Sequence, residues 1–377
     1  MSDLPVLQTS FATLALARMP VTRGDTLQAF DAADEYLLNH VHTLALPPNC
    51  RALVLNDSFG ALALSLAQHC PVTSSGDSYL AEQGLRYNQQ HNGLGASSVE
   101  FVPACDRWQG PFDLVLMRIP KTLSLLEEQL IRLHGQLAAN ATVIATGMVK
   151  HLPRSAGDLL ERYLGPVQAS LAQKKARLLF VTPQAKGPFI SPYPSRYRLE
   201  QPALELRNHA NVFSREGLDI GSRAFLPHLP RNLGNARVAD LGCGNGVLAL
   251  VCALHNPEAQ FSLFDESYMA VQSAAENWRL CHGARQAEFH VNDGLSGVAP
   301  GSVDVVLCNP PFHQQQVVGD HLAQRMFQQA HKALRVGGEL WIVGNRHLGY
   351  HAKLKRAFRE VSLVASNAKF VILKARK

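Results

Sequence analysis

Asp240-Leu241-Gly242-Cys243-Gly244-Asn245-Gly246 joins a short apolar run, 237–241, to a helical one, 247–255. A strand that ends on an acid and turns through glycines into a helix marks the first crossover of a doubly wound α/β sheet, whose ligand lies beyond the C-terminal strand ends. The glycines are spaced G-x-G-x-G, unlike the G-x-G-x-x-G of pyrophosphate binders. Outward from this turn, the sequence predicts strands at 261–265, 287–292, 303–308 and 340–343, with a closing pair near 362–365 and 369–374. Helices are expected over 268–281, 321–334 and 352–358. Such alternation gives a parallel sheet with helices on both faces. The closing pair, joined by Ser366-Asn367-Ala368, adds an antiparallel hairpin that dinucleotide-binding sheets lack.

A glycine floor lets the backbone approach a ligand closely, and a carboxylate at the strand end suits a positive amine and sulfonium. S-adenosylmethionine carries both, which makes Asp240, Gly242, Gly244 and Gly246 candidate cofactor residues. Asp265, ending the second strand, is placed to accept hydrogen bonds from ribose hydroxyls, with its neighbour Glu266 as the alternative. Asn292 and Asp293, after the third strand, are placed to face the adenine edge.

The fourth strand runs into Asn309-Pro310-Pro311-Phe312. An exocyclic amino group is a poor nucleophile because its lone pair is delocalised into the ring. The Asn309 side-chain oxygen and the Pro310 carbonyl can hold its two N–H groups and aim the lone pair, while the prolines fix the backbone. Phe312 offers a face for stacking a planar substrate. This is catalysis by positioning, so His313 need not act as a base, and the reading calls for no metal. The spacing leaves open whether the acceptor is a base amine or a side-chain amide.

The first half reads as a distant copy of the second. Residues 53–64 align without a gap to 239–250, Asp77-Ser78-Tyr79 matches Glu266-Ser267-Tyr268, 112–116 matches 303–307, and Lys150-His151-Leu152 matches Arg346-His347-Leu348, at offsets of 186 to 196. Four matches in one order point to a duplication. The first copy has lost the chemistry: Val54 stands at the place of Asp240, Asn56 and Ser58 replace Gly242 and Gly244, and Arg118-Ile119-Pro120-Lys121 replaces the proline motif. The proline- and glycine-rich stretch 183–194 puts the boundary near 188, giving a degenerate unit 1–188 and a catalytic unit 189–377.

Of 36 basic and 30 acidic residues, 15 of each sign fall in 1–188, leaving 21 basic against 15 acidic beyond. The whole excess of +6 lies in the second half and favours an anionic partner. In the first half, Arg118, Lys121, Lys174, Lys175 and Arg177 are candidate phosphate contacts. No run of eighteen apolar residues and no secretory leader is present, so a soluble cytoplasmic protein is expected. The seven cysteines form no C-x-x-C pair and read as reduced thiols.

With these motifs in place, the sequence resembles the tandem-domain ribosomal RNA guanine-N2 methyltransferases, most of all the large-subunit branch. The likeness covers nearly the whole chain and includes 212–221, 240–246, Asn309-Pro310-Pro311-Phe312-His313-Gln314-Gln315 and Asn345-Arg346-His347-Leu348. It implies two Rossmann-like class I methyltransferase domains with a degenerate N-terminal copy acting as an RNA-binding scaffold. It also implies the N2 amino group of a guanine in 23S rRNA as acceptor, and segment 213–221 as a lid or wall of the cofactor site. Three alternatives stand beside it: the small-subunit rRNA enzyme, a protein glutamine-N5 methyltransferase and a non-enzymatic RNA-binding assembly factor.

Overall fold

The strand Arg237–Leu241 shows why the apolar runs are continuous: Val238 packs into one apolar cluster, while Ala239 and Leu241 enter another on the opposite face. Successive strand residues point to opposite faces, so a sheet covered on both sides needs apolar residues at each. The computed structural model describes residues 4–21, 27–47, 49–311 and 316–377, with 316–320 as backbone alone. It divides into two compact units, Met1–Pro192 and Tyr193–Lys377. The boundary read near 188, give or take several residues, lies beside this division. Phe189 sets its ring edge-on against His134 and Tyr163, and Ser191 donates to Glu128, which ties this stretch to the first unit.

The second unit holds a seven-stranded sheet in the spatial order Glu288–Val291, Gln260–Asp265, Arg237–Leu241, Val303–Cys308, Leu334–Asn345, Phe370–Arg376, Glu360–Ser366. The first five strands are parallel and the last two antiparallel, as the sequence predicts. The helix expected over 321–334 is Gln316–Ala333, because Leu334 already opens a strand longer than the 340–343 core read from apolarity. The helix expected over 352–358 is the shorter Tyr350–Leu354.

The first unit repeats this architecture with Val99–Pro103, Val72–Gly76, Ala52–Leu55, Phe112–Arg118, Leu137–Met148, Ala176–Val181 and Val167–Ala169. The duplication extends to register: Leu55 pairs with Met117 where Leu241 pairs with Cys308. Arg118, the last residue of its strand, therefore stands at the register position of Asn309, which follows the other, as the sequence alignment has it. Apolar clusters line both faces of this sheet too.

Periodicity misses two elements that matter for the site. The hairpin Ser195–Leu199 with Leu204–Asn208 alternates polar residues, and the helix Ile220–Phe225 is too short for a period to show. Asp219 starts that helix by accepting from the Gly221 and Ser222 amides at 3.0 and 2.7 Å. Among the described residues no helix is long and apolar enough to cross a membrane, and all seven cysteines are free thiols.

Candidate active site

Asp240 ends the central strand with its carboxyl fully buried. One oxygen accepts the Ala249 amide at 3.0 Å in the first turn of helix Val247–His255. The other is buried without a partner. Burial, reinforced by the nearby Asp265 and only partly offset by the Ala249 bond, pushes this carboxyl up to about 7. A buried acceptor left unmade costs about 1–3 kcal/mol, which makes Asp240 a candidate for a donor-bearing ligand.

The turn after Asp240 is shaped for close approach. Gly242, Gly244 and Gly246 all take positive φ, at +73°, +54° and +85°. A Cβ on Gly244 would enter open space, whereas one on Gly246 would press on Ala274 and Leu263 at 3.1 and 3.2 Å. Gly244 thus keeps a ligand cradle clear, and Gly246 serves helix packing against the strand. Asp265 is fastened beside this cradle: its two oxygens accept the Gly244 and Ser267 amides at 2.9 and 3.0 Å. Burial raises its carboxyl, which these two amide bonds oppose. Each oxygen keeps a second lone pair that a ribose hydroxyl can use. Glu266, the alternative, is exposed.

Asn292 and Asp293 are largely committed to their own loop. The Asn292 amide donates to the Gly294 and Ser296 carbonyls, and Asp293 is bound by Arg325 and, through its carbonyl, by Gln329. Only their remaining side-chain oxygens and backbone are left to face an adenine.

Asn309 emerges from the fourth strand with its amide nitrogen spent on two acceptors, Asp219 Oδ2 at 2.8 Å and Ser222 Oγ at 3.0 Å. Its Oδ1 is buried and has no partner. A carboxylate can only accept, so the nitrogen must face Asp219 and the oxygen must face away. Asn309 thus keeps a fixed, unsatisfied acceptor in Oδ1. Pro310 is buried and Pro311 exposed, while Phe312 and His313 lie outside the described residues. Sequence reading placed Asp219 in the segment 213–221 without giving it a role of its own, and did not name Ser222. The signal was an acid with a serine three residues on, a helix start placed before the first strand.

In the first unit every one of these devices is dismantled. Register puts Gly76 at the place of Asp265, and Ala104 and Cys105 at those of Asn292 and Asp293. The turn survives as a shape, with Asn56 at φ +61° and Gly60 at +89°. Its filling differs: the Asn56 amide is exchanged with Gln129 at 2.9 and 2.7 Å. Asp57 replaces Asp240 as the acceptor for the helix start, taking the Leu62 and Ala63 amides at 3.0 and 2.8 Å.

Arg118 corrects the list of phosphate contacts. Its guanidinium is bound by Asp31 at 2.7 Å and Asp34 at 2.9 Å, and these acids with Asp57 hold it firmly protonated against the cost of burial. A cation paired with two carboxylates, one of them buried, has no charge to spare for RNA. Arg177 is half-buried with its Nε enclosed and unpartnered, so it too is poorly placed for a phosphate. Lys121, Lys174 and Lys175 are exposed. The last two form the tip of a tight hairpin, at φ +46° and +64°, with Lys174 also bonded to Glu35 at 2.8 Å.

The raised carboxyl of Asp240 gives a testable pH dependence. A cationic ligand favours the ionised form, so a proton must leave before binding at any pH below about 7. The dissociation constant of S-adenosylmethionine should rise as pH falls from 8 to 6, by up to about tenfold per unit below the pKa. Asp240→Asn should bind weakly and without this slope. Calorimetry giving equal wild-type affinities at pH 8 and 6 would remove Asp240 from the site.

Residues 5–185 match the family model described as the RLMG N-terminal domain, and 203–374 match the methyltransferase small domain. A protein of Pseudomonas putida (strain GB-1) described as ribosomal RNA large subunit methyltransferase G is 68% identical over 99% of this chain and 100% of its own length. One of the same description from Pseudomonas aeruginosa (strain UCBPP-PA14) is 67% identical over the same shares. Among solved structures, a T. thermophilus 16S rRNA N2 G1207 methyltransferase in complex with AdoMet and guanosine superposes with a TM-score of 0.77. It is 22% identical and covers 99% of this chain and 98% of its own, a likeness of fold.

Proposed function

The chain belongs to the family of ribosomal RNA large subunit methyltransferases G, and on that footing we propose which of its residues carry the reaction. The protein is an S-adenosylmethionine-dependent methyltransferase that modifies the exocyclic N2 amino group of a guanine in 23S rRNA. We place it in the cytoplasm, where its substrate is made.

When bound, S-adenosylmethionine supplies a methyl carbon made electrophilic by its sulfonium. Asp240 offers its free oxygen to the cofactor's positive end, Gly242 and Gly244 leave the backbone open to it, and Asp265 takes the ribose hydroxyls. Asn292 and Asp293 close the adenine side, and Gly246 sets the helix against the strand. Asn309 Oδ1 and the Pro310 carbonyl each accept one N–H of the guanine amine, which turns its lone pair toward the methyl group. Pro311 stiffens that backbone, and Phe312, outside the described residues, keeps the stacking role that the sequence suggests for it. The amine proton leaves to solvent after transfer. The observation that carries this reading is the buried, unpartnered Oδ1 of Asn309, whose amide is turned so that it awaits a hydrogen-bond donor.

Incubation with methyl-labelled cofactor and, separately, 23S rRNA, 16S rRNA and a release factor tests it. Label should enter 23S rRNA as N2-methylguanine. Label in 16S rRNA or in the protein instead would favour the small-subunit or glutamine-directed reading.

The first unit, with no group left to hold cofactor or amine, serves as the RNA-gripping scaffold. Flipping a guanine into a pocket costs a few kcal/mol of stacking and pairing, which contacts to flanking RNA can offset. Since Arg118 is internally paired, the grip falls to Lys121, Lys174 and Lys175. Reversing these three to glutamate should weaken binding of an rRNA fragment and lower the slope of log affinity against log salt by roughly two to three, as fewer counterions are released. Cofactor affinity should hold. An unchanged affinity and slope would make these lysines plain surface.

A further inference from the structure

We infer that Asp219 and Ser222 are positioning residues for methyl transfer: they fix the rotamer and the amide sense of Asn309, and through it the orientation of the substrate amine. The inference rests on the reading that Asn309 orients that amine. Asp219 lies 90 residues from Asn309 in the chain, yet its Oδ2 receives the Asn309 amide nitrogen at 2.8 Å. The same Oδ2 accepts the Ser222 amide at 2.7 Å and Oδ1 accepts the Gly221 amide at 3.0 Å, so the carboxylate is itself immobilised. Ser222, buried at 6% exposure, adds its hydroxyl at 3.0 Å to the second amide proton. An asparagine amide is nearly symmetric in shape, and a turn of its last torsion exchanges oxygen for nitrogen. Facing a substrate N–H, the wrong sense sets donor against donor. The Asp219 carboxylate, which can only accept, excludes that sense, and the Ser222 hydroxyl accepts the second amide proton in the sense observed.

The degenerate unit supplies an independent observation. Asp31 caps the helix Ala32–His42 as Asp219 caps Ile220–Phe225. Arg118, at the place of Asn309, is bound by Asp31 and by Asp34, which stands three residues on as Ser222 does from Asp219. The same two positions thus hold the residue at this register position in both copies. Where the chemistry is gone the pair of acids closes on an arginine as an ion pair. Where it remains, one position is a neutral serine, so the pair satisfies an amide without adding a second charge. The arrangement also selects: a base that presents only a carbonyl or ring nitrogen to Oδ1 meets acceptor against acceptor, so the lock favours an amino group.

The test is a double-mutant cycle on the full chain, with single-turnover methylation of 23S rRNA and calorimetric cofactor affinity as readouts. Asp219→Asn keeps a helix-capping residue but presents an amide that bonds to either sense of Asn309. Ser222→Ala removes one acceptor and nothing else. Asp219→Asn should slow transfer by about tenfold and Ser222→Ala by about threefold to tenfold, with KM and cofactor affinity within about twofold of wild type. In an Asn309→Ala background both should have no further effect on rate, because nothing is left to orient. Thermal unfolding identifies any variant that loses its fold, and Ser222→Ala then carries the test alone. Wild-type rates in both single variants, or an equal loss in the Asn309→Ala background, would overturn the inference. If Asn309→Ala itself kept its rate, the underlying reading of Asn309 would fail instead.

Discussion

Asn309→Ala is expected to lower the single-turnover rate of methyl transfer by about a hundredfold or more while leaving the affinity for S-adenosylmethionine close to wild type. Each factor of ten requires the loss of only about 1.4 kcal/mol of transition-state stabilisation, and removing one preorganised hydrogen-bonding group at a reacting centre commonly costs two such factors. The separation from cofactor binding follows from geometry. The described contacts of Asn309 run to Asp219 and Ser222, whereas the candidate cofactor groups gather around Asp240, Gly244 and Asp265. A fall of less than about threefold would show that the amine is oriented elsewhere.

Arg118→Ala is expected to destabilise the first unit by about 3 kcal/mol at pH 8, because removing one partner of a buried pair strands the other. The figure sits at the low end since Asp31 is 38% exposed, though Asp34 is only 8%. Asp34 is held up at about 7 by burial, despite the arginine beside it. A carboxyl whose folded value exceeds its unfolded 3.8 contributes stability that is present below that value and lost as pH rises through about 7. Without Arg118 that loss deepens, so the gap between variant and wild type should be widest at pH 8 and narrow toward pH 5. Urea unfolding with cofactor present to hold the second unit measures it. Equal midpoints at pH 8 would mean that the cluster is no structural core, and would return Arg118 to the candidate RNA contacts.

The sheet of the second unit was legible because buried parallel strands leave long apolar runs, although the helix starts also carry caps. Ser267 accepts the Ala270 amide, as Ser78 accepts that of Ala81 in the first copy. The two motifs of the candidate site stood out for a related reason: glycines that must take positive φ and prolines that stiffen a turn are restricted in identity. What escaped reading were partnerships across long separations. Asp219 reaches Asn309 and Asp31 reaches Arg118 over 90 and 87 residues, and no periodicity encodes such pairs. For the same reason Arg118 read as a free cation when it is an internal one. Within the proline-rich stretch, Phe189 packs backward onto Tyr163, an aromatic contact that a count of prolines does not register.

The account stands on one working copy and one silent copy of the same fold. Titrating the full chain with S-adenosylmethionine in a calorimeter, as wild type and as Gly244→Val and Ser58→Val variants, tests this most directly. The Gly244 cradle is open and its backbone left-handed, so a valine there both fills ligand space and strains the turn. One cofactor per chain, lost in Gly244→Val and kept in Ser58→Val, is the predicted result. Two cofactors per chain, or one that survives Gly244→Val, would contradict it.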